Sequence, residues 1–68
     1  MEEKTPLERA IEAAGGVKPL SVALGITAEA IYVWKQVPVM RVLDVERVTG
    51  VSRHDLRPDV YPRDEAAA

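Results

Sequence analysis

The sequence predicts a small all-helical domain, and three observations lead to that prediction. The chain has 68 residues, enough for one domain with a thin core. Apolar residues recur at the three- and four-residue spacing of amphipathic helices, and no alternating pattern longer than three residues indicates a strand. Glycines and prolines divide the chain into short segments. We therefore expect one domain of five short helices over residues 5–62, followed by a disordered tail over residues 63–68.

The first helix is predicted over residues 6–14. Thr5 is a suitable N-cap, Pro6 suits the first helical position and Glu8 completes a capping box. Gly15 and Gly16 end the helix. Its apolar face consists of Leu7, Ala10, Ile11 and Ala14.

Two short helices joined by a tight turn are predicted next, over about residues 18–24 and 28–35. Pro19 is tolerated only in a first helical turn, Gly25 favours a left-handed C-cap and Thr27 is a fresh N-cap. We expect the following side chains to face inward: Leu20, Ala23, Leu24, Ile26, Ala30, Ile31 and Trp34. Two helices at this spacing form a helix–turn–helix.

The fourth and fifth helices follow a break at Val37 and Pro38. The fourth is predicted over residues 39–49 and ends at Gly50. Its inward positions are Val42, Val45 and either Val48 or Thr49. Ser52 caps the short fifth helix, which cannot pass residue 57 because a proline disfavours helical conformation in the residue before it.

The composition excludes several classes of function. The chain has no cysteine, which excludes disulfides, thiolate metal sites and a cysteine nucleophile. Its one histidine, His54, argues against a histidine metal cage or a catalytic triad. Asp44, Glu46 and Asp55 have no accompanying nucleophile and do not form a catalytic pair. We therefore expect no enzymatic activity, no cofactor and no metal.

The patterns of hydropathy and charge bear on location and partners. No apolar run approaches the ~20 residues of a membrane span, and acids interrupt the first 16 residues, where a signal peptide needs an apolar region. We therefore expect a cytosolic protein with no membrane partner. The net charge of −2 does not by itself indicate a nucleic-acid binder. The acids, however, concentrate near the two ends, and residues 17–63 are mildly basic, which matters because the local field governs phosphate binding.

Two stretches of the sequence resemble a known family. Residues 20–35 resemble the helix–turn–helix of phage Cro and repressor proteins, with Ser21 where that family usually has alanine. Residues 45–62 resemble, more specifically, the Cro-like branch that also contains the YdaS-type antitoxins of bacteria and prophages. The resemblance implies a compact five-helix, lambda-repressor-like domain. It also implies a phage or prophage regulator in the bacterial cytosol that binds operator DNA as a dimer and represses transcription.

The resemblance makes the third helix the recognition helix, with its outer face in the major groove. The positions that touch bases in the family, or flank them, are Thr27, Ala28, Glu29, Tyr32, Val33 and Gln36. Glu29 could accept a hydrogen bond from a cytosine amino group, and Ala28 or Val33 could touch a thymine methyl group. No arginine or asparagine is present on this helix for bidentate readout of guanine or adenine.

Four cations are candidate contacts to DNA phosphates. They are Lys18, Lys35, Arg41 and Arg53. Lys18 lies at the N-terminus of the second helix, where backbone amides favour an anion, and Arg41 lies in the first turn of the fourth. For Arg47, Arg53 and Arg57, ion pairs with nearby acids are an equally good interpretation.

Apolar residues late in the chain indicate a dimer. Those without an obvious place in so small a core are Met40, Leu43, Leu56, Val60 and Tyr61. We expect some of them to form a two-fold interface, because one monomer buries too little surface for tight DNA binding.

A second hypothesis stays open at this point. The protein could be an antitoxin or adaptor in which Tyr32, Val33 and a C-terminal surface bind a partner protein, such as a toxin, with DNA binding secondary. The near-neutral charge and the missing arginines on the third helix favour this interpretation.

Overall fold

Five α-helices and one 3₁₀ turn form the secondary structure of residues 4–62, the part of the chain that the computed structural model describes. The helices are α1 (Pro6–Ala14), α2 (Val17–Leu24), α3 (Ala28–Tyr32), α4 (Val42–Thr49) and α5 (Arg53–Leu56), and the 3₁₀ turn spans Val39–Arg41. No strand occurs in residues 4–62, so the predicted all-helical fold class is confirmed. None of these helices has the length and apolar character needed to cross a bilayer. The predicted tail over residues 63–68 lies outside the described residues.

The start of α1 follows the predicted capping box. The backbone N–H of Glu8 donates to Oγ1 of Thr5 at 3.1 Å, and the backbone N–H of Thr5 donates to Oε1 of Glu8 at 2.9 Å. Pro6 occupies the first helical position, where its missing N–H leaves no intrahelical bond unmade. Local sequence alone therefore accounts for where this helix begins.

A single core lies where α1, α4 and α5 meet. Its fully buried members are Ala10, Val37, Val42, Val45 and Leu56, and half-buried Leu7, Leu24, Trp34, Val51 and Tyr61 pack against it. Helix α2 contacts α1, α3 and α4. Leu20 of α2 and Ile31 of α3 are also buried. The helix–turn–helix is thus anchored to the rest of the domain mainly through α2.

Helix α3 is shorter than predicted, ending at Tyr32 instead of near Lys35. The backbone N–H of Trp34 donates to the carbonyl oxygen of Ile31, a one-turn contact that does not continue the helix. The physical reason lies further on, at Val37, which is 1% exposed. Pro38 restricts Val37 to an extended conformation, and the chain leaves the helical path before it so that the valine can enter the core.

The fourth helix is also shorter than predicted. Residues 39–41 form a 3₁₀ turn, closed by an N–H to carbonyl bond of 2.8 Å from Arg41 to Pro38, and the α-helix starts only at Val42. Of the two alternatives for its last inward position, Thr49 is half-buried and donates from Oγ1 to the carbonyl oxygen of Val45 at 2.7 Å. Val48 is exposed.

One predicted inward position behaves differently in the structure. Ala23 is exposed, because the stripe that α2 turns inward runs through Val17, Leu20, Ser21 and Leu24, at helical spacing. Trp34 is half-buried and packs against the core, as predicted, although α3 ends before it.

Candidate nucleic-acid interface

The turn between α2 and α3 is fixed by Gly25. Its φ of +73° lies in the left-handed region that favours glycine. The N–H of Gly25 donates to the carbonyl oxygen of Val22 at 3.1 Å, and the N–H of Ile26 donates to that of Ser21 at 3.0 Å. This pair of bonds is the Schellman motif, which ends a helix and sets the direction of the following chain. The predicted left-handed C-cap is therefore present.

Helix α3 begins at the predicted N-cap. Oγ1 of Thr27 accepts from the backbone N–H of Ala30 at 3.2 Å. This oxygen is therefore already engaged in holding the helix start, while the side chain itself is exposed. The turn and the cap together determine where the next five residues lie.

Ser21 lies where α2 turns toward its neighbours and is 4% exposed. Its hydroxyl donates to the carbonyl oxygen of Lys18 at 2.7 Å, so this polar group is satisfied inside the domain. The serine at this position therefore leaves no buried hydroxyl without a partner.

The outer side of α3 faces solvent. We use the name α3 surface for the six predicted base-contact residues: Thr27, Ala28, Glu29, Tyr32, Val33 and Gln36. Tyr32 is 70% exposed and Val33 77% exposed. Glu29 and Gln36 are also exposed, and Ala28 is half-buried. Within residues 4–62 the carboxylate of Glu29 has no hydrogen bond or ion pair, so its acceptor capacity is free.

The cations divide into two groups. Four of them form ion pairs: Lys4 with Glu12, Arg9 with Asp55, Arg47 with Asp44 and Arg57 with Asp59. Lys18, Lys35, Arg41 and Arg53 make no ion pair with any acid of the described segment. All four were predicted as phosphate contacts. Lys18 lies on α2, Lys35 just after α3, Arg41 in the 3₁₀ turn and Arg53 at the start of α5. Three of the four cations without an ion pair therefore lie on or near the helix–turn–helix.

Ion pairing explains two of the three arginines for which it was an open alternative. Arg47 donates from Nη2 to Oδ1 of Asp44 at 3.0 Å. Arg57 binds both carboxylate oxygens of Asp59, and this contact lowers the pKa of the Asp59 carboxyl below its ordinary value and raises that of the arginine. The guanidinium of Arg53 instead lies 5.8 Å from the centre of the Tyr61 ring, which is cation–π distance.

The candidate dimer residues divide between surface and core. Met40 is 91% exposed, and Leu43 and Val60 are also exposed. Leu56 is 3% exposed and belongs to the core, so its assignment to an interface was wrong, because α5 turns this side chain inward against α4 and α1. Tyr61 is half-buried and packs on the core, and its carbonyl oxygen lies 2.9 Å from Nδ1 of His54.

Two exposed apolar side chains were not singled out from the sequence. Val22 of α2 is 73% exposed, and Val39 of the 3₁₀ turn is also exposed. The spacing of Val17, Leu20, Ser21 and Leu24 could have revealed Val22, since position 22 falls outside that stripe. Among the described residues no group of three His, Cys, Asp or Glu side chains is arranged to hold a metal ion.

Comparison with known proteins identifies the family. A family model described as "Bacterial toxin YdaS" matches residues 7–65, most of the chain. The chain belongs to the YdaS family. The Gene 30 protein of Enterobacteria phage phi80 is 40% identical to this YdaS-family chain over 62 residues, which cover 84% of the chain and 85% of that protein.

A solved structure agrees with this assignment. The Cro protein from the putative prophage element Xfaso 1 in Xylella fastidiosa strain Ann-1 superposes with a TM-score of 0.83 and 37% sequence identity, covering 88% of this chain and 100% of that protein. The predicted resemblance to a phage Cro-like family is confirmed, and so is the Cro-like fold of this YdaS-family chain.

Proposed function

We propose that this chain is a sequence-specific DNA-binding repressor of Cro type, encoded by a phage or prophage and acting in the bacterial cytosol. It binds operator DNA with the α3 surface in the major groove. The similarity to a protein named Cro supports the proposal. The membership of a phage-related family supports it further.

The observation that carries the proposal is the distribution of charge around α3. Four cations lack ion pairs within residues 4–62, and three of them, Lys18, Lys35 and Arg41, lie on or near the helix–turn–helix, whereas four others are paired with acids. An unpaired cation releases counterions from the DNA on binding without first losing a partner in the protein. In this proposal these three side chains contact phosphates and set the register of α3.

The α3 surface supplies the base contacts in this proposal. Several of its side chains are available for contacts, since Tyr32 and Val33 are exposed and Glu29 has no partner in the described structure. Thr27 and Ala28 lie at the N-terminal end of α3, the end that helix–turn–helix proteins direct toward base edges. Arg53 remains a fourth candidate for a phosphate contact.

Dimer formation is the second part of the proposal. Met40 is almost fully exposed, and Leu43 and Val60 leave somewhat less than half of their apolar side chains exposed. In this proposal two chains pair symmetrically through these residues. Their two α3 helices then lie about one helical turn apart on the DNA. Sedimentation of Met40→Glu alongside Val22→Glu tests this, because both changes put a charge on an exposed side chain. We expect only the first to weaken association, in solution or on DNA.

A gel shift with DNA flanking the encoding gene tests DNA binding itself. We expect a specific shift that Arg41→Ala weakens while the far-ultraviolet circular dichroism spectrum stays unchanged. Arg47→Ala is the matched control, because that arginine is exposed but paired with Asp44. Absence of any specific shift, or an equal loss with both variants, contradicts the proposed function.

The second candidate function is an antitoxin or adaptor. The observation that favours it is the exposed apolar pair of Tyr32 and Val33, together with a family description that refers to a toxin. This candidate predicts a stoichiometric complex with the protein encoded next to the gene. It also predicts that Val33→Glu disrupts the complex, and that no specific gel shift occurs.

A further inference from the structure

We infer that the α3 surface reads the amino group of cytosine and the methyl group of thymine, and does not read the acceptor edge of guanine. The operator half-site then carries cytosine and thymine on the strand that α3 contacts. This inference rests on the proposed function, since it names the bases that the proposed DNA-binding surface prefers.

The first argument concerns hydrogen-bond donors. Guanine presents two acceptors, O6 and N7, in the major groove, and proteins read them with the paired donors of arginine or with lysine. The α3 surface contains neither residue. The hydroxyl of Thr27 has one hydrogen, and its oxygen already caps α3. Tyr32 and Gln36 also carry donors, but neither is the arginine or lysine with which proteins commonly read guanine.

The second argument concerns Glu29. An ionised carboxylate only accepts hydrogen bonds, and in the major groove cytosine offers a donor at N4 without a neighbouring acceptor on the same base. The carboxylate is exposed and has no partner among residues 4–62. When the carboxylate of Glu29 comes close to DNA, it loses bound water and lies near negatively charged phosphates. It must therefore accept a hydrogen bond from the DNA, or its burial makes the free energy of binding less favourable.

The third argument concerns Val33. The side chain is 77% exposed, and it immediately follows the last residue of α3. The thymine methyl is the one apolar group that a base edge offers in the major groove. Burying one such group against an aliphatic side chain changes Kd by about fourfold.

Deoxyuridine substitution tests the thymine part directly. The full-length chain first selects sites from a random DNA library, and each thymine of the selected half-site is then replaced singly by deoxyuridine, which lacks only the methyl group. We expect at least one position at which wild-type Kd rises about fourfold. The same replacement should leave the Kd of Val33→Ala nearly unchanged, because that variant has already lost the contact. Equal sensitivity of wild type and Val33→Ala at every position would overturn the inference.

Glu29→Gln tests the cytosine part. If the carboxylate reads cytosine, discrimination at one base pair falls, because glutamine both donates and accepts. If the carboxylate only repels phosphates or favours the start of α3, affinity changes equally for all sequences, and the inference fails.

Replacing the guanines of the half-site with 7-deazaguanine tests the guanine part. The wild-type Kd should stay within about twofold, since N7 readout is absent, and a tenfold loss of affinity would contradict the inference. Failure of the library to yield any selected site contradicts instead the proposed function.

Discussion

The guanidinium of Arg57 donates from Nη1 to the backbone carbonyl oxygen of Val37, 3.1 Å away and 20 residues earlier in the chain. The same side chain binds both carboxylate oxygens of Asp59, from Nε at 2.9 Å and from Nη2 at 2.7 Å. Val37 lies in the core directly after the segment that follows α3. One arginine therefore ties the C-terminal turn to the chain that leaves the helix–turn–helix.

The Arg57–Asp59 contact predicts a pH dependence of stability. The hydrogen bonds from Arg57 hold the pKa of the Asp59 carboxyl below its ordinary value of 3.8. A carboxyl whose pKa is lower in the folded state stabilises the fold above its unfolded pKa, and this contribution is lost as the pH falls through the folded value. We expect Asp59→Asn to reduce the acid-induced loss of stability between about pH 5 and pH 2.

Urea unfolding at a series of pH values measures this effect. Arg57→Met provides the matching test, since it removes the partner and leaves Asp59 in place. Both variants should be less stable than the wild type near neutral pH. In acid Asp59→Asn should approach the wild type, whereas Arg57→Met should keep the part of its loss that comes from the missing bond to the Val37 carbonyl oxygen. A stability difference that stays constant over the whole acid range contradicts the account.

Gly25 allows a second prediction, on backbone conformation. Its φ is +73°, and a Cβ added there would meet no atom within 4 Å. Gly25→Ala therefore tests conformational strain without a steric clash, and we expect it to lower the free energy of unfolding by about 1–2 kcal/mol. Gly25→Asn should cost less, because asparagine tolerates left-handed conformation better. Equal stability of Gly25→Ala and the wild type in urea would show that the turn does not need this conformation.

Leu20 and Val22 allow a comparison of two aliphatic residues on one helix. Leu20 is fully buried, whereas Val22 is 73% exposed. We expect Leu20→Ala to cost about 2–5 kcal/mol, a large part of the stability of a domain this small. Val22→Ala should change stability by less than about 0.5 kcal/mol. Thermal unfolding followed by circular dichroism measures both, and a similar cost for the two variants would be inconsistent with the orientation of α2.

The cations allow a prediction about salt. If Lys18, Lys35 and Arg41 each neutralise one phosphate, each alanine variant reduces the slope of log Kd against log salt concentration by about 0.9 per monomer. Arg47→Ala and Lys4→Ala should leave the slope unchanged, because those side chains are paired with acids of the protein. Fluorescence anisotropy at several salt concentrations gives the slopes. Equal slopes for all five variants would show that Lys18, Lys35 and Arg41 do not contact DNA phosphates.

Local sequence signals predicted most of the fold. The helix caps form as expected, at Thr5, Gly25, Thr27 and Ser52. Each capping interaction joins residues no more than a few positions apart, so a local pattern is enough to predict it. The resemblance to a Cro-like family was also sound, because the matching residues span both the helix–turn–helix and the C-terminal half.

Longer-range packing accounts for what the sequence did not predict. The early end of α3 depends on the position of Val37 in the core, which no local pattern records. The burial of Leu56 likewise depends on where α5 lies against α1 and α4. The ion pair of Arg9 with Asp55 separates this arginine from the free cations, and it joins residues far apart in the sequence, so it was identifiable only after folding.

The most direct test of the α3 assignment uses the absence of native cysteine. A single cysteine introduced as Val33→Cys carries an iron–EDTA group that cleaves nearby DNA, and Ala13→Cys on the exposed side of α1 is the control. The account predicts two groups of cuts from the Val33 position, separated by about one helical turn of the operator, and few or none from position 13. Equal cleavage from both positions, or cuts from position 13 alone, would contradict the placement of α3 in the major groove.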